Sequence, residues 1–177
     1  ELVACVPAEG DWFVVGCHAS LVAVGECQYG DNQALSSFWE NLPEGQGVML
    51  IGKGHIAKGL GSRAEAQACL ADWYTEQIPA DLRIAYDLRA HQSPLRRANI
   101  AQAMKNLLER LDSSCHHCGR PGFWPDNRET GLCCSDCGAP TNSLRARIAR
   151  CEGCGYQQTY PVAVAYADPA TCLFCNP

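Results

Sequence analysis

Thirteen cysteines punctuate this 177-residue chain, and eight of them form four Cys-x-x-Cys pairs in its last third. The pairs are Cys115/Cys118, Cys134/Cys137, Cys151/Cys154 and Cys172/Cys175. Two residues between thiols let both sulfurs of a tight turn face one ion. Two such turns complete a tetrahedral shell of four thiolates, the closed coordination of structural zinc. Eight ligands therefore predict two zinc ions. Gly119, Gly138 and Gly155 follow three of the turns, where the backbone often needs positive φ. The ions can pair the turns sequentially, first with second and third with fourth, or interleaved, first with third and second with fourth. Sequential gaps of 15 and 17 residues suit one hairpin ribbon per ion, and that pairing is favoured. His116 and His117 lie inside the first turn, but four thiolates already fill the shell, so exposure is expected for both. Cys133 lacks the spacing to Cys137 that Cys134 has. A closed shell offers water no open position, so a catalytic zinc is not expected.

A second constellation carries no sulfur. Asp87, Arg89, His91 and Arg96 follow a predicted strand and precede a predicted helix N-terminus, where ligands often meet α/β sheets and where free N–H groups favour anions. Asp87 has the chemistry of a general base or metal ligand, and Arg89 and Arg96 that of anion clamps. The competing reading is an Asp87–Arg89 pair that only orients structure. Lys53, His55 and Lys58 surround glycines that form either a phosphate loop or, more simply, a hairpin turn. No Walker loop, nucleophile elbow or zinc-protease helix is present.

Arg145, Arg147 and Arg150 alternate with apolar residues, and Phe123, Trp124 and Tyr156 are aromatic surfaces on which bases stack. The overall charge opposes nucleic acid. The chain carries −5, from 14 basic and 19 acidic residues. Two all-thiolate sites add about −4, being eight thiolates against two divalent cations. Phosphate binding usually needs a basic footprint.

The elements that must position these groups divide the chain near residue 113. Residues 1–112 read as an α+β (or α/β) domain, and residues 113–177 as a small double zinc ribbon. Short apolar runs lie at 2–6, 12–17 and 21–24. A helix is predicted over 32–42 with Asp31 as cap. A strand at 48–51 turns through 52–54 into a partner at 56–60. Ser62 and Glu65 form a capping-box pattern ahead of a second helix. A strand follows at 82–88. Ser93 and Pro94 open a third helix, whose apolar residues recur at i, i+3, i+4 and i+7 to about Leu111. Downstream, strands are expected at 144–149 and 156–164. That tail has too few large apolar side chains for a self-sufficient core, so metals must staple it.

Composition is that of an ordinary globule, 47% apolar and 19% charged. No apolar run approaches the ~20 residues of a spanning helix, and no basic leader with an apolar run marks secretion. Four repeated Cys-x-x-Cys units favour metal in a reducing cytoplasm over disulfides. Of the five other cysteines (Cys5, Cys17, Cys27, Cys69 and Cys133), most read as small buried apolar residues. The first residue is Glu1 rather than methionine, so a leading portion is expected ahead of it.

The cysteine tail, with Tyr160-Pro161, Asp168-Pro169 and the segment from Asp87 to Arg96, resembles an uncharacterised bacterial family, domain of unknown function 6671. Lys58-Gly59 fits the same pattern. The resemblance implies a zinc-stabilised tail and a longer N-terminus, and supplies no activity. Two functions stay open: a cytosolic module with structural zinc that binds a protein or small anionic ligand, and an enzyme on a phosphorylated or nucleotide substrate centred on Asp87. Nucleic acid is the third, disfavoured by charge.

Overall fold

The computed structural model of the chain describes residues 1–8 and 12–177. It divides into two compact units, one of Glu1 and His18–Ala103, the other of Leu2–Cys17 with Met104–Pro177. The sequence places the boundary at residue 112. In the structure it falls within a helix instead, and an N-terminal hairpin belongs to the cysteine-rich unit. That hairpin, β1 (Leu2–Cys5) and β2 (Val14–Cys17), is antiparallel with Leu2 opposite Cys17. Two contacts explain its place. The Cys17 N–H donates to Asn106 Oδ1 at 3.0 Å, and Val14 packs so closely on Gly122 that a β-carbon there would lie 2.8 Å from its Cγ2.

The first unit is a two-layer α+β sandwich. Its sheet contains β3 (Glu26–Gln28), β4 (Val48–Gly52), β5 (His55–Leu60) and β6 (Arg83–Tyr86) in the order β3-β6-β4-β5. Every pairing is antiparallel. The α/β alternative is thereby settled against, and with it the parallel-sheet reason for expecting a ligand at the strand ends. Alternation in β4 sends Val48 and Leu50 into the core at 0% exposure and leaves Met49 and Ile51 on the other face. Helices α1 (Asn32–Glu40) and α2 (Arg63–Trp73) cover the core face with Leu35, Phe38, Ala66 and Leu70.

Both helix starts follow from sequence. Asp31 accepts from the N–H groups of Gln33 and Ala34. Ser62 Oγ accepts from the Glu65 N–H, while the Glu65 carboxylate accepts from Gly61, one residue earlier than the standard box. Helix α3 (Pro94–Asp112) starts with the Arg96 N–H donating to the fully buried Ser93 hydroxyl at 3.4 Å.

In the second unit β7 (Asn127–Thr130), β8 (Leu144–Arg150) and β9 (Gln157–Pro161) form an antiparallel meander. One cluster of buried residues comprises Cys115, Phe123, Ala149 and Cys151. Two of those four are metal-ligand candidates, which is the expected shortage of ordinary core.

Candidate metal centres and the buried Asp87 network

Three of the four cysteine pairs form the same knuckle. The N–H of the first cysteine donates five residues ahead, Cys115 to Arg120, Cys134 to Ala139 and Cys151 to Tyr156. The glycine N–H then donates back to that cysteine's carbonyl in all three. Closing the loop this way requires positive φ, which Gly119, Gly138 and Gly155 supply at 75°, 70° and 74°. Asn176 N–H makes the corresponding bond to Cys172 in the fourth knuckle.

The knuckles assemble as two four-cysteine groups, Cys115/Cys118/Cys151/Cys154 and Cys134/Cys137/Cys172/Cys175, the sulfurs of each lying within 4.8 Å of one another. The pairing is interleaved, which corrects the sequential expectation. The reason is parity. One strand separates each knuckle from the next, and successive strands run antiparallel, so successive knuckles arrive at opposite ends of the sheet. Asn127, at the start of β7, lies opposite Ile148, near the end of β8, so the first and third knuckles share one end. Ala146, near the start of β8, lies opposite Pro161, at the end of β9, so the second and fourth share the other.

The sulfurs fit a tetrahedral ion. A metal–sulfur bond of about 2.3 Å puts tetrahedral sulfurs about 3.8 Å apart. Observed separations are 3.7 Å for Cys115–Cys154, 3.5 Å for Cys118–Cys151, 3.9 Å for Cys134–Cys175 and 3.6 Å for Cys137–Cys172. All are far beyond the ~2.05 Å of a disulfide. The first cysteine of each pair is buried and the second exposed.

The electrostatics also call for a cation. N–H groups of Cys175 and Phe174 hold the Cys172 thiol down to about 7, whereas the Cys137 thiol and burial push Cys175 up to about 12. The other group behaves alike. Against its burial, the N–H groups of Cys154 and Gly153 bring Cys151 to about 7. Against the Tyr156 N–H, burial and the neighbouring thiols raise Cys154 to about 12. Four thiols this close cannot all ionise without a divalent ion among them. Both groups fit zinc-ribbon-like sites.

Asp87 is 1% exposed at the end of β6. Its Oδ2 accepts from the Gly59 N–H at 2.9 Å and from Arg89 Nη2 at 2.6 Å, and its Oδ1 accepts from the Arg89 N–H at 3.1 Å and Nε at 2.9 Å. A register shift between Val48 and Met49 leaves Gly59 as the bulged residue at φ 74°, which aims its N–H at the carboxylate. The Arg89 side chain, above all, holds the Asp87 carboxyl below the usual carboxylate range despite burial. Gln46, 4% exposed, closes the network by donating to the Gly47 and Asp87 carbonyls, each at 2.8 Å. Asp87 therefore spends its oxygens on neighbours.

A family model described as domain of unknown function 6671 matches residues 34–177. The chain belongs to this family. No curated protein and no solved structure matches the chain. The family match takes in both cysteine groups and the Asp87 network.

Of the remaining constellation, Arg96 donates to the Leu88 carbonyl at 2.6 Å and to Glu1 Oε1 at 2.8 Å. His91 is exposed, and its carbonyl accepts from Arg97. The structure thus joins Asp87 to Arg89 and turns Arg96 onto the Leu88 carbonyl and the Glu1 carboxylate. Lys53 and Gly54 form the tight turn of the β4–β5 hairpin, and His55 stacks on Trp73 at 5.1 Å. Lys58 is exposed on β5. His116 and His117 are exposed, as expected of residues outside the shell, with His117 stacked on Tyr156. Phe123 is 3% exposed, so its ring is closed to a base. Sequence reading named Gly59 only as part of the Lys58-Gly59 pair, without its bond to Asp87, and missed Gln46 and Arg128. Arg128 lies on β7, a strand whose Asn-Arg-Glu-Thr sequence carries no apolar alternation. Among the described residues no helix is long and apolar enough to cross a membrane.

Proposed function

We propose that the chain is a cytosolic binding module built round two structural zinc ions, rather than an enzyme. The observation that carries this is the donor set. Both groups offer four thiolates and no fifth ligand position, which suits a folding ion and leaves no site for activated water. The buried Asp87 supports the same reading, because a carboxylate held by Arg89 and Gly59 orients backbone better than it accepts a substrate proton. A reducing compartment suits thirteen cysteines of which none is paired in a disulfide.

The test is elemental analysis of the purified full chain. Two zinc per chain is expected, with loss of tail structure on chelation and recovery on adding zinc. Iron at the sites, or a folded metal-free tail with disulfides between the pairs, overturns it.

One observation favours a second reading, a small-anion site. Arg89 is 43% exposed while Asp87 pins one edge of its guanidinium, so a preset cation faces solvent. Thermal-shift titration with inorganic phosphate and nucleotides separates the two. A shift in the wild type that Arg89→Ala abolishes supports the anion site.

A further inference from the structure

We infer that a row of exposed side chains across the β7–β8–β9 sheet, Arg128, Arg147 and Tyr160, binds single-stranded nucleic acid, which deepens the reading of the chain as a binding module. The three residues form one row across the sheet. Arg128 on β7 lies directly opposite Arg147 on β8, and Arg147 directly opposite Tyr160 on β9. Residues in register point to the same face, with neighbouring strands about 4.8 Å apart. All three side chains are exposed, the tyrosine at 37%.

Two like charges directly opposite each other weaken a sheet unless something neutralises them. Among the described residues no acidic side chain does so. Arg145, on the same strand, has Glu129, and Arg110 has Asp126. Among the described residues neither Arg128 nor Arg147 has an acidic partner. The pair is therefore a standing electrostatic cost that an external anion removes.

The residue types narrow that anion. From residue 113 onward there are five arginines and no lysine, and four of the five (Arg128, Arg145, Arg147, Arg150) lie on β7 and β8. Arginine's planar fork grips phosphate bidentately. Tyr160 beside the pair adds a ring on which a base stacks, a surface that a carboxylate peptide has no use for. Net acidity of the chain is compatible with this, because contact is local and long-range attraction is screened beyond about 8–10 Å at ordinary salt. It limits the footprint to a short segment.

The experiment is fluorescence anisotropy of a labelled twelve-nucleotide oligothymidine or oligouridine with the full, metal-loaded chain, across a salt series. Two phosphate contacts give a log–log salt slope of about −1.4, and each of Arg128→Ala and Arg147→Ala should reduce its magnitude by about 0.7. Tyr160→Ala should weaken binding at least about fivefold without changing the slope. Arg150→Ala, on the opposite face by strand alternation, should bind as wild type. Arg147→Thr should keep the fold and raise Tm by about 1–4 °C as the like-charge pair disappears.

No binding at 50 mM salt, or unchanged binding by both arginine variants, overturns the inference. So does tighter binding of poly-glutamate that depends on Arg147 but not on Tyr160. Zinc is measured in the same samples. Two ions per chain with no oligonucleotide binding removes this inference and leaves the module reading standing.

Discussion

Interleaved coordination makes a prediction that distinguishes it from every sequential arrangement. Cys115→Ser with Cys151→Ser damages one site twice and leaves the other whole. Cys115→Ser with Cys134→Ser damages both sites once. If sequential pairing held, these outcomes would exchange. The first double variant should hold one zinc against a chromophoric chelator of intermediate affinity, and the second should hold neither. The energies make the contrast large. Structural zinc contributes apparent binding energies of about 10–16 kcal/mol, as much as the whole stability of a typical domain. A site that loses a thiolate therefore unfolds its end of the sheet, and the second loss in that site adds little. The separations joined by the inner thiols, 33 residues for Cys118–Cys151 and 35 for Cys137–Cys172, are about twice those of sequential pairing. Each longer closure restrains the unfolded chain by about 0.6 kcal/mol more. That is a minor term beside the ion itself, so the choice of partners is made by strand geometry. Zinc stoichiometry by competition, read beside far-ultraviolet circular dichroism, is the assay. One ion retained by Cys115→Ser/Cys134→Ser and none by Cys115→Ser/Cys151→Ser would refute the pairing.

Two further predictions address the rest of the molecule. Asp87→Asn should cost about 2–3 kcal/mol at pH 7, since it removes a buried charge partner and weakens the bonds to Arg89 and Gly59. Because Asp87 titrates below its unfolded value, its contribution is complete above about pH 4 and is lost as pH falls through the lower folded value. Amide exchange at Gly59 and Leu50 reads this in the first unit, apart from acid release of metal, and a gap that widens as pH falls below about 4 contradicts the sign. Gly122→Ala puts a β-carbon 2.8 Å from Val14 Cγ2 at φ 84°. Strain and overpacking together predict about 2–4 kcal/mol, with exchange protection lost in β1–β2 while both ions stay bound. An unchanged Tm rules out the hairpin packing.

Much of the fold was legible because its signals are local. Asp31, Ser62 and Ser93 mark the three helix starts by capping chemistry alone. The β4–β5 hairpin shows in its apolar run and glycine turn. The eight cysteines of the two four-cysteine groups follow from spacing. What escaped depends on partners distant in sequence. The order β3-β6-β4-β5 puts a strand from beyond α2 between two earlier ones, and nothing in residues 83–86 announces which neighbours they choose. β7 is four polar residues that become a strand only because β8 lies beside them. Missing β7 was also what hid the metal pairing. With it, one strand stands between every two knuckles, and alternation of ends follows without any distance. Asp87 and Arg89 were visible as a pair, but burial was not, because it needs the bulge at Gly59 that opens between β4 and β5.

Net charge is blind to where the cations sit, and the sheet register brings two of them together. A sum over the chain treats Arg128 and Arg147 as two cations among fourteen, though the register sets them side by side. Strands of four, seven and five residues with so little apolar core would not hold two facing guanidinium groups by themselves. Parity places one four-cysteine group at each end of those strands, so the ions clamp the meander from both sides of the row. In the proposed module the metals and the arginines are then one device. The thiolates take no part in binding, yet without them the sheet would relieve its like-charge pair by coming apart. Chelation should for that reason abolish oligonucleotide binding as completely as removal of both arginines, although no ion lies in the row itself.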